Sequence, residues 1–322
     1  TNVARNLHNK RAKKKLEKEG GRKPMLVTMK EILDKASAEN YGVAAPNVTS
    51  ELDARAFIEA AEQLKAPIII DIAELACKDM FFLGHLVRGL AQQSNVPVAI
   101  NLDHGGNLTE VYSAIQAGFT SVMFDRSSAS FEENAKQVKE VVDIAHAVGV
   151  SVEAELGHVG QASQYELDRD AALTSVEDAV RFIEYTGVDC LAVAVGTAHG
   201  IYPKGFVPYL DFDRLVEIKK ATNNFPLVLH GSSGTDDESM KKACQLGINK
   251  ININGELCQA AAEAVQAAYF EGNNVYNVYN IARDAAKEKL IEKMKLYGCE
   301  GKAWIPQTNG IGNKDTTLRE KA

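Results

Sequence analysis

Apolar and polar positions alternate between two periods along this chain. Short, largely apolar runs recur: 42–46, 68–72, 96–102, 121–124, 150–156, 190–195, 227–230 and 250–253. Runs of four to seven residues without a polar face predict strands buried on both sides. Between them lie longer stretches with apolar positions three and four apart, predicting helices over 51–64, 79–94, 108–117, 131–148, 175–186, 211–222, 236–246 and 256–271. In the first of these, Leu52, Ala56, Phe57, Ala60 and Ala61 share one face. A helix over 29–40 precedes the series, ended by Asn40 and Gly42, and another over 277–297 follows it.

Eight strand–helix units of this kind predict a parallel sheet covered by helices. Their span of about 250 residues is the size of a (β/α)8 TIM barrel. The expected fold is α/β: a TIM barrel with an N-terminal capping helix and an extra C-terminal helix. A doubly wound open sheet is the runner-up, but no Gly-rich dinucleotide turn follows the first strand.

Charge marks the expected boundaries. Residues 1–24 carry Arg11, Lys13, Lys14, Lys15, Lys18, Arg22 and Lys23 with few large apolar residues. They are expected to be a solvated tail or an expression remnant, with an arm for an acidic partner as the sharper reading. The barrel is expected over 25–303 and a polar tail over 304–322. The chain of 322 residues has a net charge of −7, which argues against general nucleic-acid binding. No apolar run approaches the ~20 residues of a membrane span. The five cysteines are scattered, odd in number and without a CxxC pair. That usage, with no secretory leader, predicts a reducing, cytoplasmic setting.

Candidate chemistry collects at one place in this pattern. In a TIM barrel the active site lies at the C-terminal ends of the strands. Asn47 follows strand one, Asp103 and His104 strand three, and Asp125 and Arg126 strand four. Glu153 and Glu155 lie near the end of strand five. His199 follows strand six, His230 follows strand seven, and Asn252 and Asn254 end strand eight. A lone histidine after a strand is most often structural. Three of them, each followed by glycine within the same rim, point to a zinc site with an open position. His8, His85, His146 and His158 lack this setting. Asp103 is a candidate for proton transfer, metal ligation or orienting His104. Asp125 and Glu155 can hold a second metal position, or serve in a salt bridge with Arg126 or as caps. Gly231, Ser232, Ser233 and Gly234 open the helix after strand seven, a common phosphate position in barrels.

NLDHG at 101–105, VEAELG at 152–157, GTAHG at 196–200, LHGSSG at 229–234 and KININ at 250–254 resemble the class II, zinc-dependent ketose-bisphosphate aldolases. The resemblance runs from about Leu26 to Ala303. It implies a homodimeric or homotetrameric barrel that reversibly cleaves a ketose phosphate to dihydroxyacetone phosphate and an aldehyde, through a zinc-stabilised enediolate. It implies one zinc ion per subunit on His104, His199 and His230, with Asp103 handling the proton of the C4 hydroxyl. Asn252 would contact the dihydroxyacetone moiety, and Gly200, Gly231, Ser233 and Asn254 its phosphate. Glu155 and Asp125 match positions linked to a second or resting metal site. A monovalent cation, sodium or potassium, near the phosphate is also implied.

Departures from the family pattern fall mostly on the far end of the substrate and on the loop that closes the site. The usual Asp-Gly-Ser-His after strand four is here Asp125, Arg126, Ser127, Ser128. Gly255 replaces a threonine and Ala73 a serine. Glu166 is the one acid near the altered loop at 160–166, and Asn280 stands where an arginine is expected. Arg126 and Arg283 are candidate replacements for that arginine. The reading is an aldolase whose distal substrate group differs from phosphate. A metal-dependent sugar-phosphate isomerase or epimerase, and a non-catalytic aldolase-like subunit, are the competing readings.

Overall fold

The computed structural model describes residues 25–73, 79–157, 159, 173–198, 208–268, 270 and 277–304. Eight strands lie within them: β1 (Val43–Pro46), β2 (Ile68–Ile72), β3 (Val98–Gly105), β4 (Ser121–Phe124), β5 (Ser151–Leu156), β6 (Cys190–Val193), β7 (Leu227–Leu229) and β8 (Ile248–Ile253). The helices between and around them are α1 (Met29–Glu39), α2 (Glu51–Leu64), α3 (Met80–Gln93), α4 (Leu108–Ala117), α5 (Phe131–Ala147), α6 (Val176–Thr186), α7 (Phe212–Ala221), α8 (Asp237–Leu246), α9 (Gly255–Ala267) and α10 (Val278–Tyr297).

Every pair of sheet neighbours is parallel, and the strand order follows the chain from β2 round to β8, which pairs with β1. A bridge between Asn47 and Asp71 brings β1 beside β2, and the Val48 N–H donates to the Asp71 carbonyl at 3.0 Å. The ring so formed is the TIM barrel. A doubly wound sheet would need a reversal of strand order, which this ring lacks.

Strands form where the apolar runs can bury both faces. Ile68, Ile69, Ile70 and Ile72 of β2 are all inaccessible, which explains a run without alternation. Helices start where a short polar side chain can take an orphan backbone N–H. Ser50, Asp79, Asn107, Ser130, Ser175, Asp211 and Asp236 each accept from the N–H three residues on. Each such cap stabilises its helix by about 1 kcal/mol.

The base of the barrel is covered by α1. Thr28 and Glu31 form a reciprocal capping box, and Met29, Ile32, Leu33 and Ala36 turn inward. The chain before α1 is tied to β3: Val98 N–H donates to the Met25 carbonyl at 2.8 Å, and Val27 N–H to the Val98 carbonyl at 3.0 Å. At the other end of the sequence, α10 packs on α9 and α2 and buries Ala286, Leu290, Met294 and Tyr297.

Two strands depart from expectation. β8 begins at Ile248, which places Asn249 and Lys250 inside the barrel wall. β3 runs on to Gly105, so Asp103 and His104 belong to the strand and not to the loop after it. A bulge explains this extension: Leu102 pairs with Val122 and Gly105 with Phe124, so β3 spends one extra residue against β4.

Candidate active site and metal centre

The bulge in β3 solves a geometric problem. Consecutive strand residues point to opposite faces, so Asp103 and His104 would normally face apart. His104 instead has a φ of 50°, in the left-handed region that a non-glycine residue seldom occupies. That kink breaks the alternation and lets both side chains reach the barrel mouth. Strain of this kind costs on the order of 1–3 kcal/mol and concentrates at functional sites.

The mouth brings three groups together. One ligand atom each from Asp103, His104 and His230 lies within 4.8 Å of the others. The two imidazole rings stand edge to face, with centroids 4.6 Å apart. His104, Asp125 and Glu155 form a second set on the same criterion, sharing His104 with the first.

Each histidine is held by a carboxylate on its far side. His104 Nδ1 meets Asp125 Oδ2 at 2.8 Å, and His230 Nε2 meets Glu153 Oε1 at 2.8 Å. A carboxylate on one ring nitrogen directs the other towards a metal and raises its basicity. The nitrogens so directed are His104 Nε2 and His230 Nδ1. Imidazole nitrogens with a nearby carboxylate suit a divalent transition metal such as zinc, so the donors present fit that ion. His199, the third histidine, lies outside the described residues, as do Gly200 and Glu166.

Asp103 is gripped from two strands. The Asn47 amide donates to its Oδ2 at 2.8 Å, and the Asn252 amide donates to its Oδ1 at 2.9 Å. Burial works to raise this carboxyl, but the His104, His230 and Lys250 charges and the Asn47 hydrogen bond outweigh it and hold it below the usual range. Burial works to lower His104, but the Asp125 hydrogen bond and the Asp103 and Glu155 charges lift it to about 9. A metal must displace that proton, so its affinity falls as the pH falls. Burial and the Asp125 charge push Glu155 up to about 8. Asp125 stays well below the carboxylate range: burial opposes this, and its bonds to His104 and to Ser127 prevail.

The loops after β7 and β8 meet beside this cluster. Ser232 Oγ donates to the Asn252 carbonyl at 2.7 Å, and a Cβ on Gly255 would come 2.9 Å from Ser233 Oγ. Gly231 has a φ of 65°, and a Cβ there would lie 2.5 Å from the Ala198 carbonyl carbon and oxygen. Only glycine lets the strand-seven loop pass so close to the strand-six loop. Asn254 stands at the N-cap of α9 and makes no side-chain cap bond.

The other anticipated residues are placed as follows. Asp125 serves His104 and Ser127, and among the described residues it forms no ion pair with Arg126. The Nε of Arg126 is buried and has no hydrogen-bond partner among them. Arg283 lies on α10 and pairs with Asp284 at 2.8 and 2.7 Å. The reading of the rim gave Glu153 no role and left Lys250 and Asp71 unmentioned. Lys250 Nζ donates to Glu153 Oε2 at 2.8 Å and lies 3.4 Å from Asp71 Oδ2, with all three side chains inaccessible. A signal was present: Glu153 and Glu155 are two apart on one strand, so both side chains share a face.

The family model of class-II fructose-bisphosphate aldolase matches residues 27–302, and the chain belongs to that family. It is therefore a lyase, a class II aldolase. The chain is 41% identical to the fructose-bisphosphate aldolase of Thermus caldophilus, covering 87% of this chain and 100% of that one. It is 38% identical to the sulfofructosephosphate aldolase of Alkalicoccus urumqiensis, covering 86% of this chain and 98% of that one. The crystal structure of the YdjI aldolase from Escherichia coli K12 superimposes with a TM-score of 0.75 at 35% identity, covering 87% of this chain and all of that one.

Proposed function

We propose that this enzyme cleaves a ketose phosphate to dihydroxyacetone phosphate and an aldehyde, with zinc as its metal. The observation that carries this reading is the convergence of Asp103, His104 and His230 within 4.8 Å at the mouth of the barrel. When bound, zinc supplies Lewis-acid polarisation of the substrate carbonyl and stabilises the negative charge released on cleavage. His104, His230 and, by resemblance, His199 would hold it. Glu155 and Asp125 line a second position that shares His104.

Asp103 is the base. Its carboxylate takes the proton of the C4 hydroxyl as the C3–C4 bond breaks and the C4 oxygen becomes the aldehyde oxygen. The amides of Asn47 and Asn252 fix the carboxylate for that transfer, with Asn252 also within reach of the dihydroxyacetone end. Gly231, Ser232 and Ser233 in the loop after β7 and Asn254 at the start of α9, with Gly200, form the phosphate cradle. A monovalent cation, sodium or potassium, would share the charge of that phosphate. Glu166, in its protonated form, would deliver a proton to C3, and it regains one from water as Asp103 releases its own to water.

The distal end of the substrate carries a group other than phosphate: a sulfonate, a carboxylate or a deoxy carbon. Asn280 in place of the expected arginine and Arg283 engaged by Asp284 support this reading. So does the sulfofructosephosphate aldolase among the relatives. The enzyme works as a homodimer or homotetramer in the cytoplasm. Among the described residues no helix is long and apolar enough to cross a membrane.

The test is a panel of ketose 1-phosphates, with dihydroxyacetone phosphate release followed by coupled NADH oxidation, with and without chelator. Chelator-sensitive triose phosphate release is expected. A product of unchanged carbon count would make the protein an isomerase. Efficient cleavage of fructose 1,6-bisphosphate would overturn the distal-group reading while leaving the aldolase.

A further inference from the structure

Beneath the site runs a ladder of charged and polar side chains. Asn101 on β3 donates to Asp71 Oδ1 on β2 at 2.9 Å. Lys250 on β8 lies 3.4 Å from Asp71 Oδ2 and 2.8 Å from Glu153 Oε2 on β5, and Glu153 Oε1 is 2.8 Å from His230 Nε2. Every one of these residues has 0% exposure. Burying an ammonium and two carboxylates costs several kcal/mol per ion before pairing, so stability alone is a poor reason for them. The chemistry proposed above uses His230 and the Glu153 carboxylate that holds it, and leaves Lys250 without a task.

Donor counting supplies one. An ammonium only donates, so Glu153 Oε2 must accept. The carboxylate that faces Lys250 in this way has no hydrogen to offer on its other oxygen. The 2.8 Å contact at Oε1 therefore requires His230 to donate its Nε2–H. The lone pair then sits on Nδ1, the nitrogen left to face Asp103 and His104. We infer that Lys250, acting through Glu153, sets the ring tautomer of His230, and that both are positioning residues for the metal. This inference rests on the metal reading above.

The same counting makes Glu153→Gln informative. Lys250 demands an acceptor, so the Gln carbonyl must turn to it and the Gln NH2 must face His230. Nε2 would then have to accept, moving the ring hydrogen to Nδ1, where it blocks a metal. Replacing Lys250 as well, in Glu153→Gln/Lys250→Met, frees the amide to turn its oxygen back to the imidazole. The experiment is zinc affinity, by competition with a chromophoric chelator, for the whole chain and both variants. Glu153→Gln is expected to bind zinc about ten- to a hundredfold more weakly. The double variant is expected to recover part of that loss, a rescue that simple damage to the core would not give. Wild-type affinity in Glu153→Gln, or a double variant no tighter than the single, overturns the inference. A wild-type chain that takes up no zinc overturns the metal reading and this inference with it. NMR of the ring nitrogens in the zinc-loaded wild type needs no variant: Nε2 should carry the hydrogen, and zinc on Nε2 would refute the assignment.

Discussion

Two of the buried lysines, Lys250 and Lys219, sit near opposite ends of the barrel and are held in opposite ways. Lys250, below the mouth, faces the carboxylates of Asp71 and Glu153. Lys219, at the base, meets no acid among the described residues: its ammonium donates at 2.7 Å to Ser37 Oγ, the Phe225 carbonyl and Asn249 Oδ1. Burial works to lower both. For Lys250 the two carboxylates prevail and lift it above the usual lysine range. For Lys219 nothing opposes burial, and it falls to about 7. The difference separates two uses of a buried charge. At the base it is a peg, joining α1, α7 and β8 through neutral oxygens. Below the mouth it orders another residue's hydrogen bonds. Gly247 has a φ of 126° and no room for a Cβ, which would meet the Lys219 side chain at 2.7 Å. The base is thus packed around its lysine, and the mouth gathers Asp103, His104 and His230.

If the contrast holds, damage at the mouth shows in turnover and damage at the base only in stability. The largest effect expected is from metal removal. Rigorous chelation should take triose phosphate release below detection, and added zinc should restore it; turnover that persists in metal-free protein breaks the assignment. Next is Asp103→Ala, expected to lower kcat by about 10²–10⁴-fold, the range for a positioned general base. Zinc content should be unchanged, and loss of zinc would instead make Asp103 a positioning group for His104. Gly231→Ala should affect both properties, because it forces a Cβ against the strand-six loop. A loss of about 1–3 kcal/mol is expected in denaturant unfolding, together with reduced turnover.

The effect with no expected consequence for turnover sharpens the base. The unfolded chain keeps the Lys219 proton up to the ordinary value of 10.5, while the folded chain releases it near 7. Between those limits the unfolded state binds more protons, so stability rises with pH. Below pH 7 both states are protonated and the burial cost is constant. One group sets a ceiling of about 1.4 kcal/mol per pH unit. Lys219→Met should keep its turnover and lose this part of the slope, as measured by unfolding between pH 7 and 10. An identical slope in the variant would place the titration elsewhere.

The fold was open to reading because its signals are local. Continuous apolar strands, amphipathic helices and cap residues lie within windows of ten or so residues, and the expected elements match within about two residues at nearly every end. The rim could be read too, since residues just past each strand must gather at one end of a barrel. Asn47 was expected at the rim and Asn252 at the substrate, and both are found holding Asp103. Asp125 was expected at a metal, a salt bridge or a cap, and its hydrogen bond goes to His104. In each case the residue was legible and its partner was not, because the partners lie 21 to 149 positions away.

By itself, then, the sequence determined that eight units would close a ring and that Asp103, His104 and His230 would share its upper rim. Periodicity and strand-end position are properties of single segments, and they survive without knowledge of contacts. Tertiary structure alone decided that His104 would take a left-handed backbone, so that two neighbouring residues could face one centre. It alone placed Lys250 of the last strand against Glu153 of the fifth. Those choices depend on which groups meet across the barrel once water is excluded, where an unpaired charge is costly and every donor must find its acceptor.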